Sequence, residues 1–185
     1  MNHSVSSNCP AAAGICLACG LCCNGVIFAD VKLQPGDNAG RLRSGGLPVS
    51  KPSSGRGTPR FTQPCAAYDG CRCRVYADRP QYCRHFECVL LKSVTAGRTQ
   101  PAEALRIIGT ARSRAEKVRG LLRTLGDRNE HIALSVRFRR TARRLQGAEL
   151  DEDTAETYGQ LTLAVHDLNL LAGEAFYPGG GKRDA

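Results

Sequence analysis

Tryptophan is absent from the chain, and five phenylalanines and five tyrosines are its whole aromatic complement. Any core must therefore rest on Leu, Val, Ile and Ala, and there are few rings on which nucleic-acid bases could stack. No run of ~18 apolar residues occurs, which excludes a transmembrane helix. The N-terminus has no basic segment ahead of an apolar one, and its apolar stretch 10–13 is broken by Gly14. No signal peptide is read there, and a cytoplasmic location without membrane attachment is expected. No GxGxxG, phosphate-cradling glycine loop or nucleophile–base pair is visible, so no catalytic residue is assigned and enzyme status stays open. Histidine is scarce, at four residues, and beyond Cys88 there is no cysteine.

What remains is an ordinary soluble composition with one exception. Across 185 residues, 42% are hydrophobic and 23% charged, which fits neither a disordered nor a collagen-like chain. The exception is cysteine: all ten lie between Cys9 and Cys88. The front of the chain needs cysteine chemistry, and the rear must fold by packing alone.

Disulfides belong to oxidising compartments, which the absence of an export signal argues against. Inert buried thiols are usually scattered singly. Metal ligation suits the spacings. The first group reads Cys16-x2-Cys19-x2-Cys22-Cys23, and the second Cys65-x5-Cys71-x-Cys73-x9-Cys83-x4-Cys88. A C-x2-C pair lets two sulfurs converge on an ion, and Gly20 lets the chain fold back beside them. In an extended segment Cys22 and Cys23 would point to opposite sides. Thiolate-only surroundings favour zinc, copper(I) or an iron–sulfur cluster. His85 alone among the histidines lies inside this region, and a lone His beside a Cys is more often a packing residue than a ligand.

The stretch Phe61 to Cys88, with its Arg79-Pro80-x2-Cys83-Arg84-x-Phe86-x-Cys88 ending, joins the CxxCxxCC block in a resemblance to the bacterial YkgJ-like cysteine-cluster family. That family is described as a zinc- or iron-chelating domain. The resemblance covers residues 16–90 and implies metal ligation by Cys16, Cys19, Cys22, Cys23, Cys65, Cys73, Cys83 and Cys88, with zinc or iron as the cofactor. Cys9 and Cys71 lie outside the pattern, and with His85 they are extra candidates. A flagellin lysine methylating enzyme looks similar in its cysteine region, which keeps an iron–sulfur enzyme of protein or small-molecule modification as the alternative. A basic zinc protein that binds nucleic acid is a third reading. Arg72, Arg74, Arg79 and Arg84 are read as donors that offset the charge of ligated sulfur.

Along the chain, residues 1–13 and 177–185 read as flexible termini. Gly25–Leu33 alternates as a strand, residues 35–64 read as a long mobile loop, and Asp69-Gly70 reads as a turn before a short strand Arg72–Tyr76. Asp78 is placed to cap a helix starting at Arg79-Pro80. On a regular helix Cys83 and Cys88 would stand ~140° apart, so either the helix breaks or they serve different metal atoms. From Thr99 the period becomes helical: Leu105, Ile108, Ala111, Ala115, Val118, Leu122 and Leu125; then Leu134, Phe138, Ala142 and Leu145; then Tyr158, Leu161, Val165, Leu168, Ala172 and Ala175. Gly126-Asp127 with Glu130, and Asp153 with Glu156, read as helix-start signals. The expected fold is α+β and α-rich: an irregular cysteine-coordinated module over 14–98 packed with a bundle of about three helices over 99–176.

The formal net charge is +9. Residues 102–146 carry twelve basic against four acidic side chains, and residues 147–176 carry seven acids and no Lys or Arg. Intramolecular complementarity within the bundle is the favoured reading. The alternative is an acidic partner, or nucleic acid, on Arg137, Arg139, Arg140, Arg143 and Arg144.

Overall fold

The computed structural model describes residues 14–51, 57–70 and 72–177. The expectations for residues 1–13, Cys9, Cys71 and the tail from 178 lie outside the described residues. The chain divides into two compact units, Met1–Phe86 and Glu87–Ala185; the cysteine composition changes after Cys88, and the helical period that sets the expected boundary begins at Thr99.

The first unit holds α1 (Ile15–Cys19), β1 (Asp30–Lys32), α2 (Ala39–Ser44), β2 (Arg60–Thr62), a 3-10 turn (Tyr76–Asp78) and α3 (Gln81–His85). Strands β1 and β2 pair antiparallel with Val31 opposite Phe61. Both side chains face inward and are essentially fully buried, while Asp30 and Arg60 form a 3.3 Å ion pair on the outer face. Val31 and Phe61 join Leu33, Leu42, Leu47, Val49 and Ala67 in one core, with Cys65, Val75 and Cys83 packed against it. Each fully buried aliphatic or phenyl side chain contributes about 1.5–3 kcal/mol, so the cysteines sit on a real, if small, hydrophobic base.

Several local expectations are corrected here. Residues 35–64 are not one long loop. They contain α2 and β2, and they supply Leu42, Leu47, Val49 and Phe61 to the core. Glycine and proline punctuation hid these residues because they recur with neither a 2.0 nor a 3.6 period. The strand over Gly25–Leu33 is shortened to β1, although Ile27, Val31 and Leu33 are buried as the alternation predicts. Arg72–Tyr76 is not a strand. A single bridge pairs Tyr68 with Cys73, and the chain then enters the 3-10 turn.

Asp78 does not cap α3 but pairs with Arg41 at 3.0 Å. The capping role falls to Asp37, whose Oδ1 accepts the Gln81 N–H at 2.9 Å while its Oδ2 accepts that of Gln34 at 2.7 Å. Sequence patterns seek caps next to the helix and cannot see one that arrives from another segment. The helix expected to carry both Cys83 and Cys88 does break: α3 ends at His85, and Cys88 stands at the N-cap of α4 (Val89–Thr95).

The second unit holds α4, α5 (Pro101–Thr124), α6 (Leu134–Leu145) and α7 (Glu152–Ala175). Helix α5 is central, packing chiefly on α7 and also on α6 and α4. Its buried stripe is Ala104, Ile108, Ala111, Ala115, Val118 and Leu122. Leu105, expected on that face, is half exposed, because Ala104 takes the inward position. Helix α7 buries Leu161, Ala164, Leu168, Ala172 and Ala175, and its cap is Asp151, which accepts the Thr154 N–H at 2.7 Å, rather than Asp153.

Helix α6 departs most from its periodicity. Its buried residues are Leu134, Arg137 and Thr141, so the inward face is rotated away from Phe138 and Ala142. The cause is an ion pair: Arg137, 1% exposed, donates through Nε to Asp127 Oδ1 at 3.2 Å and through Nη2 to the Asp127 carbonyl at 3.1 Å. Asp127 is thus a buried anchor and not the start of a capping box. Gly126 (φ 85°) does end α5, with the Asp127 N–H returning to the Leu122 carbonyl. Arg137 is removed from the arginines offered to an acidic partner. Ion pairs among the described residues of this unit include Glu116–Arg119, Glu116–Arg123, Glu130–Arg123 and Asp127–Arg137. Arg114 of α5 reaches α7 through the Asp167 carbonyl, at 2.7 Å.

Candidate metal centre

Helix α1 carries Cys16 and Cys19 and ends at Gly20, which adopts a left-handed conformation (φ 64°) that residues with a Cβ rarely take. The chain reverses there, and the Cys23 N–H donates to the Gly20 carbonyl at 2.9 Å. Cys22 and Cys23 therefore lie in a turn and not in an extended segment, and both border the same cavity, against the expectation of opposite sides. A Cβ on Gly20 would lie 1.9 Å from the Tyr68 hydroxyl oxygen, so the ring of Tyr68 closes directly over this turn. That hydroxyl donates to the Gly70 carbonyl at 2.6 Å.

The second cysteine group enters from the chain beyond β2. The Cys65 N–H donates to the Cys23 carbonyl at 2.8 Å, joining the two groups through main chain. The Tyr68 N–H donates to the Cys65 carbonyl at 3.0 Å, and the backbone N–H groups of Ala67 and Tyr68 near the sulfur favour its thiolate. Cys73 stands at the bridge to Tyr68, and Cys83 projects from α3.

Cys16, Cys22, Cys23, Cys65, Cys73 and Cys83 line one cavity of about 90 Å³. Phe28, Tyr82 and Phe86 wall it. Phe28 meets Tyr82 and Phe86 edge-on, at centroid distances of 5.6 and 4.8 Å. The eight cysteines of the described residues are thiols and not disulfides. Cys16 is exposed, and Cys23, Cys65 and Cys83 are partly buried. Burial, then mutual repulsion with Cys65, Cys83, Cys73 and Cys16, pushes the Cys23 thiol up to about 12. Cys83 is pushed to about 12 by burial and by Cys65 and Cys73, and Cys65 is raised mainly by burial. These thiols resist ionisation unless a cation enters beside them. Among the described residues, no group of three Cys, His, Asp or Glu side chains stands close enough to hold a metal ion between them; the sulfurs ring a space and do not converge on a point.

Cys19 is buried and does not border the cavity. Cys88 belongs to the second unit, where its sulfur accepts the Leu91 N–H at 3.4 Å. His85 lies in a shallow groove with Gln34, Pro35 and Gln81. The arginines act differently from expectation, because their hydrogen bonds go to carbonyl oxygens and not to sulfur. Arg74 donates to Ala66 at 2.5 Å, Arg79 to Tyr76 at 3.1 Å, and Arg84 to Arg79 and Ala77 at 2.6 and 3.2 Å. Arg79 also lies over the Tyr76 ring at 3.7 Å and borders the cavity. Charge still reaches sulfur through space, since Arg79 lowers Cys83 and Arg74 lowers Cys65. Arg72 is exposed, and its backbone N–H donates to Asp69.

Spacing did not point to the aromatic wall or to Gln63. Gln63 borders the cavity, is 2% exposed, and has a buried Oε1 without a hydrogen-bond partner. An orphaned buried acceptor beside a ring of soft donors fits a cationic guest.

Residues 15–102 match the model of the CxxCxxCC family. The family is described as a "putative zinc- or iron-chelating domain", and the donor set agrees with that chemistry. No curated protein and no solved structure matches the chain. The CxxCxxCC match runs past Phe86 into the second unit and ends at the start of α5, so it includes Cys88 as well as the cavity cysteines.

Proposed function

We propose that this protein holds a zinc or iron centre of more than one metal atom in the cavity, through thiolates of Cys16, Cys22, Cys23, Cys65, Cys73 and Cys83. The observation that carries the reading is that six cysteines from both sequence groups border a single small space. Six donors exceed the four that one tetrahedral zinc takes. Thiolates shared between metal atoms suit sulfurs spread around a space better than one ion at its middle. The raised thiols couple proton release to metal entry: each is unfavourable as a lone anion, and its charge is offset only beside a cation. The aromatic wall limits water at the metal, which strengthens the attraction. Cys19, Cys88, His85, Cys9 and Cys71 are left out of the set. The role proposed is metal holding, structural or metal-handling.

The test is metal and acid-labile sulfide analysis of protein isolated without oxygen. More than one metal atom per chain is expected, lost in Cys65→Ser and Cys83→Ser. Brown protein with sulfide identifies an iron–sulfur cluster, and colourless protein with zinc identifies bridged zinc ions. As-isolated protein with no bound metal and fully titratable thiols would refute the proposal.

A further inference from the structure

We infer that the side-chain carboxamide of Gln63 is an oxygen donor to the metal centre; the inference rests on the thiolate reading above. Gln63 follows β2 directly, and its N–H donates to the Ala29 carbonyl at 3.0 Å. That bond continues the strand pairing one step past Asp30 and Thr62, so the residue is held by backbone, not by its side chain. The side chain nonetheless lies inside, 2% exposed, on the wall shared by the six cysteines.

Its Oε1 is the one fully buried side-chain N or O atom without a hydrogen-bond partner among the described residues. Leaving such an acceptor unsatisfied forfeits the hydrogen bonds it makes to water in the unfolded chain. A leucine would occupy similar space at no such cost, so the sequence carries a penalty that the metal-free fold does not repay. The other groups on this wall are thiols, aromatic rings and aliphatic side chains, together with Arg79, which is engaged with Tyr76. A carboxamide oxygen carries partial negative charge, and a metal ion satisfies it directly. Zinc and iron both take oxygen beside sulfur. An uncharged oxygen binds these metals more weakly than a thiolate does. The metal atom facing Gln63 is therefore the one at which ligand exchange is easiest.

The experiment compares wild type, Gln63→Leu and Gln63→Glu as full-length chains, metal-free and loaded with cobalt(II). Metal-free Gln63→Leu is expected to melt higher than wild type, because the orphaned acceptor is gone. Its cobalt affinity is expected to fall, by an amount on the order of the 10–100-fold seen when a supporting group at a metal site is lost. The cobalt absorption bands are expected to shift with it, and Gln63→Glu, which keeps an oxygen, is expected to retain the metal with altered bands. Wild-type affinity and unchanged bands in Gln63→Leu would overturn the inference and point to a water on Oε1. If Gln63→Leu does not fold, bands of Gln63→Glu identical to wild type overturn it. Wild type that binds no cobalt removes the thiolate reading itself, which separates that failure from failure of the Gln63 assignment.

Discussion

The amide of Cys65 donates to the carbonyl of Cys23 at 2.8 Å. This single main-chain bond ties the end of the CxxCxxCC block to the start of the second cysteine group. The spacing of the two groups is therefore set by backbone resting on the Val31–Phe61 core, before any metal contributes. Cys65→Ser and Cys83→Ser should consequently lose metal while retaining this framework. The check is metal content beside the amide NMR spectrum of residues 30–62. Retained metal in both variants would show that the cavity is not the site.

Gly20→Ala is expected to be among the most damaging small substitutions. The left-handed backbone costs a residue with a Cβ about 1–2 kcal/mol, and the new methyl would overlap the Tyr68 hydroxyl. Thermal melting and metal content should fall together. Gly46→Ala, also at positive φ but with open space around the added carbon, should lose only the backbone share.

Arg137→Met should destabilise the second unit by about 3–5 kcal/mol, because it strands the buried Asp127 carboxylate. The double variant Arg137→Met with Asp127→Asn should lose less than the single one, since no uncompensated charge remains. Arg139→Met, at an exposed position on the same helix, should change the denaturation midpoint little. Equal effects at 137 and 139 would contradict the buried pair.

Acid sensitivity should come in part from Glu130 and Asp151. The hydrogen bond from Arg123 holds the Glu130 carboxyl below its ordinary value, and the backbone N–H of Thr154 does the same for Asp151. Carboxyls lowered in the folded state contribute stability above their unfolded values. That contribution is lost as pH falls through the folded ones. Melting temperature measured from pH 6 to pH 3 should therefore decline less steeply in the double variant Glu130→Gln with Asp151→Asn. An unchanged slope would count against both assignments.

Metal removal should separate the two units. Helices α1, α2 and α3 have five or six residues each, too short to persist alone, whereas α5 and α7 have 24 each and share a packed face. Stripping metal with a chelator should leave most of the helical circular dichroism signal and the β1–β2 pair, while amide exchange accelerates over residues 14–24 and 65–86. Loss of both together would show that the second unit depends on the first.

The long amphipathic elements were readable because their burial repeats: α5 and α7 follow the 3.6-residue period nearly throughout. Helix α6 was misread at Arg137, since a buried arginine looks like a solvent-facing one until Asp127 is seen beside it. The grouping of cysteines was legible as a spacing. That spacing could not tell that Cys19 is buried without bordering the cavity that Cys16 borders, nor that Cys88 caps a helix of the second unit. Gln63 and the Phe28–Tyr82–Phe86 wall were invisible because their roles come from contacts between distant segments.

Asp37 commits one carboxylate oxygen to Gln34 and the other to Gln81, so the stretch that looks dispensable in sequence is a splint for the helix bearing Cys83. Shortened versions of this protein should therefore be cut between Ser50 and Gly57, and not nearer Asp37. Removing the splint would set the Cys83 sulfur adrift while every cysteine remained in the chain.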